Sequence, residues 1–229
     1  MKSESFERLR VIEGFAALPE SDLADIAAAC RWRSHARGDL IVGQEDSSNT
    51  VYMIAKGTVR TAFYAEDGTE VGFRDLPAGQ MFGEISAIDG RPRSASVIAT
   101  TGCLLASLSA DSFQRLLRVH PAFAEIVLRR LATLVRALSD RVVEFSTLAV
   151  SNRIHAELLR LARDNMMGDH AYIDPAPRHA MLASRISSRR EAVAREIGKL
   201  TKEGILKKSG RALIVRDVAA LERLVDQAL

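Results

Sequence analysis

Cysteine is nearly absent from this 229-residue chain: Cys30 and Cys103 are the only two thiols. That count excludes a disulfide framework, an Fe–S ligand set and a Cys-rich zinc site. Long apolar runs are missing as well. The longest uncharged stretch, 94–110, is 17 residues long and carries Ser, Thr and Gly, too short and too polar to cross a bilayer. The first ten residues, MKSESFERLR, place acids and arginines where a signal peptide needs an apolar segment. A soluble, cytoplasmic protein without a membrane partner is expected. Also missing are Gly-x-Ser-x-Gly, a Walker A loop and Gly-x-Gly-x-x-Gly. His35, His120, His155, His170 and His179 follow no metal-ligand spacing. With no nucleophile, base or metal set, no enzyme and no metal site are expected.

Glycine is spread unevenly, and its longest gap divides the chain. Ten of the 14 glycines lie in 1–102, and none lies between Gly102 and Gly168. The glycine-rich part reads as short strands: 51–54, 59–64 and 71–73 are rich in β-branched and aromatic residues between Gly turns. Strands at this spacing suggest an antiparallel sandwich or roll. A short helix beginning at Pro19, with Ser21 as its cap, is expected ahead of them. In the glycine-free part, Leu128, Leu131, Val135, Leu138, Val142, Phe145 and Ala149 keep a 3,4 step. That is an a/d register, the seam of a two-stranded coiled coil, with Arg130, Arg136, Asp140, Arg141 and Glu144 flanking it. A homodimer through a helix at 119–150 is expected. Helices at 153–164, 178–186 and 189–203, then a hairpin at 205–215, give the order of a winged helix-turn-helix.

Charge follows the same division. Residues 1–151 carry 17 Lys/Arg against 19 Asp/Glu, whereas 152–229 carry 15 against 10. Within 185–211 there are nine basic residues and three acidic ones, the footprint of a polyanion partner. Arg189, Arg190, Glu191 and Arg195 fall on the first turns of the helix at 189–203, with Lys199 and Lys202 toward its end. Arg reads guanine bidentately from the major groove, and Glu accepts from cytosine N4. Arg178, Lys207, Lys208 and Arg211 are placed to touch phosphates of double-stranded DNA.

The segment FGEISAIDGRPRSASV, 82–97, carries a second chemistry. Backbone amides at the start of a helical turn hold an anion, and Gly83 permits close approach. Arg93 can give a phosphate two parallel hydrogen bonds and Ser94 adds a hydroxyl. A carboxylate at Glu84 makes sense beside a phosphate if it accepts from a ribose hydroxyl.

With Glu84 and Arg93 nine positions apart, the segment resembles the phosphate-binding cassette of cyclic-nucleotide-binding domains, in the form found in the CRP/FNR family of bacterial transcription regulators. Arg190-Glu-x-x-x-Arg195 resembles the recognition helix of the same family, and the likeness runs from about residue 15 to 218. It implies an α+β fold: an antiparallel β-roll at 1–118, a dimerisation helix and hinge at 119–150, and a winged helix-turn-helix at 151–229. It further implies that Glu84 binds the ribose 2′-hydroxyl, Arg93 and Ser94 the cyclic phosphate, and that amides around Gly83, Ile85 and Ser86 complete the cradle. Val71 and Phe73 would line one wall. Leu138-Ser139 stands where classical cAMP receptors have Thr-Ser beside the adenine, and Leu138 can pack but not hydrogen-bond a base. Pro177-Arg178 replaces the usual hydroxyl cap ahead of the first DNA-binding helix.

The expected protein is a homodimeric regulator gated by cAMP, with cGMP as the alternative ligand. It would bind an inverted-repeat site, with RNA polymerase as a candidate further partner. Two alternatives stay open. One keeps the DNA function with a vestigial or differently tuned pocket. The other is a regulatory cyclic-nucleotide-binding subunit acting on a protein partner.

Overall fold

The computed structural model describes residues 2–64 and 70–226, without the side chains at 2–5, 70–73, 141, 144, 145 and 147. The chain divides into two compact units, Met1–Leu134 and Val135–Leu229.

The first unit begins with α1 (Lys2–Leu9), a 3-10 turn (Phe15–Ala17) and α2 (Glu20–Ala29). The strands β1 (Arg31–His35), β2 (Leu40–Val42), β3 (Val51–Lys56), β4 (Thr58–Tyr64), β5 (Glu70–Pro77) and β6 (Met81–Phe82) follow. Then come α3 (Glu84–Asp89), β7 (Ser96–Ala99), β8 (Cys103–Leu108), α4 (Ala110–Val119) and the long α5 (Pro121–Thr147). Two antiparallel sheets, ordered β1-β8-β3-β6 and β2-β7-β4-β5, make the roll.

Period-2 alternation along β3 and β8 serves two cores at once. Met53 and Ala106, paired in register, face the helical core with Leu23, Ile26, Phe113 and Phe123. Their neighbours Ile54 and Leu105, also paired, face the inside of the roll with Val59, Leu76 and Val97. Phe123 fixes the start of α5, meeting Phe15 and Phe113 edge to face at 5.7 and 5.8 Å. The chain's one tryptophan, Trp32 on β1, packs at the margin of the helical core with the Arg8 guanidinium 5.8 Å from its ring centre.

Three local expectations need correction. Ser21 does not cap α2: the helix starts at Glu20 behind Pro19, and the Ser21 hydroxyl donates to Asp22 instead. Ala149 does not extend the long helix, because α5 stops at Thr147 and Ala149 caps the next one. Leu131 is not free for a seam, since it packs against the helical core with Val127. Leu128, Val135, Leu138 and Val142 remain exposed, at 57–65 % each, while the Phe145 side chain lies outside the described ones.

The second unit continues with α6 (Val150–Arg163), β9 (Met166–Met167), β10 (His170–Ile173), α7 (His179–Arg185) and α8 (Arg190–Lys202). The strands β11 (Leu206–Ser209) and β12 (Ala212–Val215) and the helix α9 (Val218–Asp226) complete it. Its sheet is ordered β11-β12-β10-β9. Ile154, Leu158 and Ala162 of α6 recur every four residues and bury against Leu182, Ile186, Val193, Ile197 and Leu200 of the helix pair. The turn between α7 and α8 passes through Ser187 at φ 49°, a left-handed conformation that more often takes glycine. The Ser188 amide closes it by donating to Ala183 O at 2.9 Å.

Candidate functional site

In the first unit the cassette is assembled around a buried guanidinium. The short strand β6 leads into Gly83, at φ 86° and ψ 1°, which precedes α3. Arg93 lies on the return toward β7. Two backbone hydrogen bonds hold it there: the Arg93 amide donates to Asp46 O and the Glu45 amide to Arg93 O, both at 2.9 Å. Its side chain, 3 % exposed, donates from Nε to Ser48 Oγ at 3.1 Å, from Nη1 to Gly83 O at 3.2 Å and from Nη2 to Thr50 O at 2.7 Å. A guanidinium has five N–H donors, so two remain for a ligand. Burial lowers the pKa of Arg93, while the nearby Tyr52, Asp46 and Glu84 charges oppose that shift. Glycine at 83 is a steric requirement. A Cβ there would lie 2.5 Å from Arg93 Nη1 and 2.6 Å from Thr50 O.

Glu84, 4 % exposed, sits at the first position of α3 and accepts from Arg130 Nε at 3.3 Å. Arg130 reaches in from α5 and also donates to Gln80 Oε1 at 2.5 Å and to the Met81 carbonyl. Its position is set by spacing: Phe123, Val127 and Arg130 recur at i, i+4 and i+7, which puts Arg130 on the stripe of α5 that faces its own unit. Arg130 therefore serves Glu84 rather than the flank of a seam. Arg74 adds a further charge. It shares a face of β5 with buried Leu76 yet is itself exposed, and its pKa is lowered by partial desolvation and by Arg130 while Glu84 opposes.

These residues suit a small phosphate ester. Spare guanidinium donors lie beside Gly83, and the first-turn amides of α3 have no intrahelical acceptor. Ser86 is buried, whereas Ile85 and Ser94 are exposed. Val71 and Phe73 belong to β5, but their side chains lie outside the described ones. Leu138 is exposed on α5, and Ser139 Oγ donates back to Val135 O at 3.0 Å.

In the second unit the basic residues meet on one surface. Arg189 precedes α8 and Arg190 opens it, and both are exposed, as are Glu191, Arg195 and Lys199. Arg178 precedes α7 without a side-chain cap bond. The starts of α7 and α8 and the β11–β12 hairpin enclose a cleft of about 560 Å³ lined by Arg178, His179, Arg190, Lys208 and Arg211. Arg211 is not free there: Asp174 binds its guanidinium through two hydrogen bonds, at 2.8 and 3.2 Å.

What holds α8 in place was not evident from sequence. His155 Nε2 lies 2.8 Å from Glu196 Oε1, joining α6 to α8. Glu157, 1 % exposed, accepts from Arg185 at the end of α7 at 2.9 Å and also from Arg160. The signal was available in the alternation of Ile154 and Leu158 with His155 and Glu157, which puts all four near one buried side of α6. Elsewhere His120 ends α4 between Asp22 and Asp25, at 3.2 and 3.3 Å. Among the described residues no cluster of three or more His, Cys, Asp or Glu could hold a metal ion, and no helix is long and apolar enough to cross a membrane.

Comparison with known proteins agrees with this arrangement. Residues 32–120 match the cyclic nucleotide-binding domain, and 152–224 match the Crp-like helix-turn-helix domain. The cyclic AMP receptor protein of Thermus thermophilus is 31 % identical over 195 residues, 84 % of this chain and 87 % of that protein. Among solved structures, FixK2 from Bradyrhizobium japonicum superimposes with a TM-score of 0.71 at 19 % identity, covering 85 % of this chain and 96 % of FixK2. The c-di-GMP responsive regulator CLP of Xanthomonas campestris gives 0.66 at 20 % identity, covering 86 % and 99 %. The two matched domains define a DNA-binding regulator with a cyclic-nucleotide-binding domain. The chain belongs to the CRP/FNR family of transcription regulators.

Proposed function

We propose that this chain is a homodimeric, cytoplasmic transcription regulator whose DNA affinity is set by a cyclic nucleotide, cAMP in the first instance. The observation that carries the ligand is the buried Gly83–Arg93–Glu84 cluster. A guanidinium held by three acceptors keeps two donors over a glycine, beside a carboxylate suited to a ribose hydroxyl. The similarity to the Thermus cyclic AMP receptor protein supports the same choice. In this reading Arg93 and Ser94 hold the phosphate, with α3 amides beside them, and Glu84 takes the 2′-hydroxyl in competition with Arg130. Exposed Leu128, Val135, Leu138 and Val142 form the face of α5 that meets a second copy. Two recognition helices then read an inverted repeat, with half-sites about one DNA turn apart. Arg190, Glu191 and Arg195 contact bases, and Arg178 and Lys208 contact phosphates.

A second reading keeps the DNA function and changes the effector. It is favoured by Arg74 and Arg130 beside Glu84, an excess of positive charge over a one-phosphate ligand. The c-di-GMP responsive relative illustrates that this fold serves other effectors. Leu138 offers no hydrogen bond to a base, so cAMP and cGMP would bind with similar affinity.

Calorimetric titration with cAMP and cGMP, followed by DNA binding with and without ligand, separates the two readings. Micromolar binding of either nucleotide with tighter DNA binding supports the first. No heat at millimolar nucleotide, with DNA binding intact, supports the second.

A further inference from the structure

The cleft between α7, α8 and the β11–β12 hairpin contains one group that the DNA reading leaves without a role. His179, the first residue of α7, is half-buried in it. The charged groups around it are all cationic. Arg178 comes from the segment ahead of α7, Arg190 from α8, and Lys208 and Arg211 from the hairpin. Among the described residues no carboxylate lines the cleft, and Asp174, which binds Arg211, is not among its walls. The other imidazoles of this unit face carboxylates: His155 meets Glu196 at 2.8 Å and His170 meets Asp169 at 3.1 Å.

We propose that this cleft seats a backbone phosphate of DNA and that His179 takes up a proton as it does so, making DNA binding by this chain proton-linked. The inference rests on the DNA-binding reading above and adds a residue and a proton to it.

The physics follows from the surroundings. Burial, then Lys208, then Arg190 lower the pKa of His179 below the ordinary imidazole value, so the free protein holds it neutral at neutral pH. A phosphate in the cleft reverses the balance. Its negative charge offsets Lys208 and Arg190 and supplies an acceptor for an imidazolium N–H. The proton affinity of His179 is then higher in the complex than in the free protein. The sign is therefore fixed: DNA binding is strongest at low pH and weakens as pH rises through the pKa of the complex. A tenfold gain in proton affinity on binding sets a ceiling of about tenfold on the loss of DNA affinity per half-site as pH rises through the titration.

Phosphate contacts do not depend on sequence, so the probe can be a labelled duplex of random sequence, about 30 base pairs long, at low salt. Dissociation constants for the full-length protein are measured by fluorescence anisotropy between about pH 6 and pH 8. His179→Gln removes the titrating group without adding charge, and His179→Arg keeps a permanent one. The expected result is a falling affinity in wild type, a flatter profile in both variants, and tighter binding by His179→Arg at the high-pH end. Thermal unfolding of each variant confirms that it is folded. If His179→Gln keeps the wild-type slope, the titrating group lies elsewhere and the inference is overturned. Wild type that binds this duplex at no pH would overturn the DNA-binding reading together with it.

Discussion

The two units use charge in opposite ways. In the first, Glu84 and Arg93 are almost fully buried and each has protein partners: Arg130 for Glu84, and Ser48, Thr50 and Gly83 for Arg93. In the second, Arg190, Arg195 and Lys208 stand in solvent, while the polar pairs of the interior, Glu157 with Arg185 and His155 with Glu196, serve the framework. A site for one small ligand must fix its donors before the ligand arrives, and only burial and backbone acceptors fix an arginine that firmly. A surface for a long polyanion gains from mobile, hydrated cations, because phosphates are numerous and the counterions released on binding supply much of the affinity. On the proposed reading, ligand recognition is concentrated in a few residues and DNA recognition is spread over many.

The sharpest break of this comparison places charge where neither rule applies, on the apolar face of α5. Val135→Glu with Val142→Glu would set like charges opposite each other across a dimer seam, at a cost of several kcal/mol, on the order of a buried unpaired charge. Sedimentation should show a monomer. A double variant that stays a tight dimer removes this face from the interface.

Next in size is the framework of the second unit. Arg185→Ala takes one cation away from the buried Glu157 carboxylate and should destabilise this unit by about 3–5 kcal/mol. A matching fall in its thermal midpoint is the measurement. Arg93→Ala should lower cyclic-nucleotide affinity by about 2–5 kcal/mol, at least tenfold, in calorimetric titration. If it binds as wild type does, the buried guanidinium is structural only.

The exposed residues should show smaller, separable effects. Arg190→Ala is expected to cost about 1–3 kcal/mol at the preferred site and to relax one base position per half-site in a selection experiment. Lys208→Ala should weaken every sequence alike and lower the salt slope by about one per monomer. If Lys208→Ala changes base preference, the division of labour between helix and hairpin is wrong.

Much of this architecture is legible in the chain. Glycine spacing marks the roll, a 3.6-residue period marks the helices, and the Ser-Gly-Arg turn at 209–211 marks the hairpin, because each depends on local geometry. The residues that sequence reading misplaced each depend on a second surface. Heptad counting gave Leu131 and Arg130 to one face of α5, yet a helix that packs on its own unit as well has two faces to satisfy. Ser21 has the chemistry of a cap, but Pro19 had already started the helix. The pairings of His155 with Glu196 and of Glu157 with Arg185 depend on the partners that α8 and α7 bring to α6. The period of α6 marks its buried side, but it does not name the partners that meet it there.

Trp32 gives the division between the units an optical form. It is the only tryptophan in the chain, it lies in the roll, and the second unit has only Tyr172 as a near-ultraviolet fluorophore among its described residues. Indole emission excited at the red edge of the absorption band therefore reports on the first unit alone. Far-ultraviolet dichroism, dominated by helices, senses both. A denaturant titration followed by the two signals together resolves which unit melts first, and adding nucleotide or DNA should shift one curve before the other.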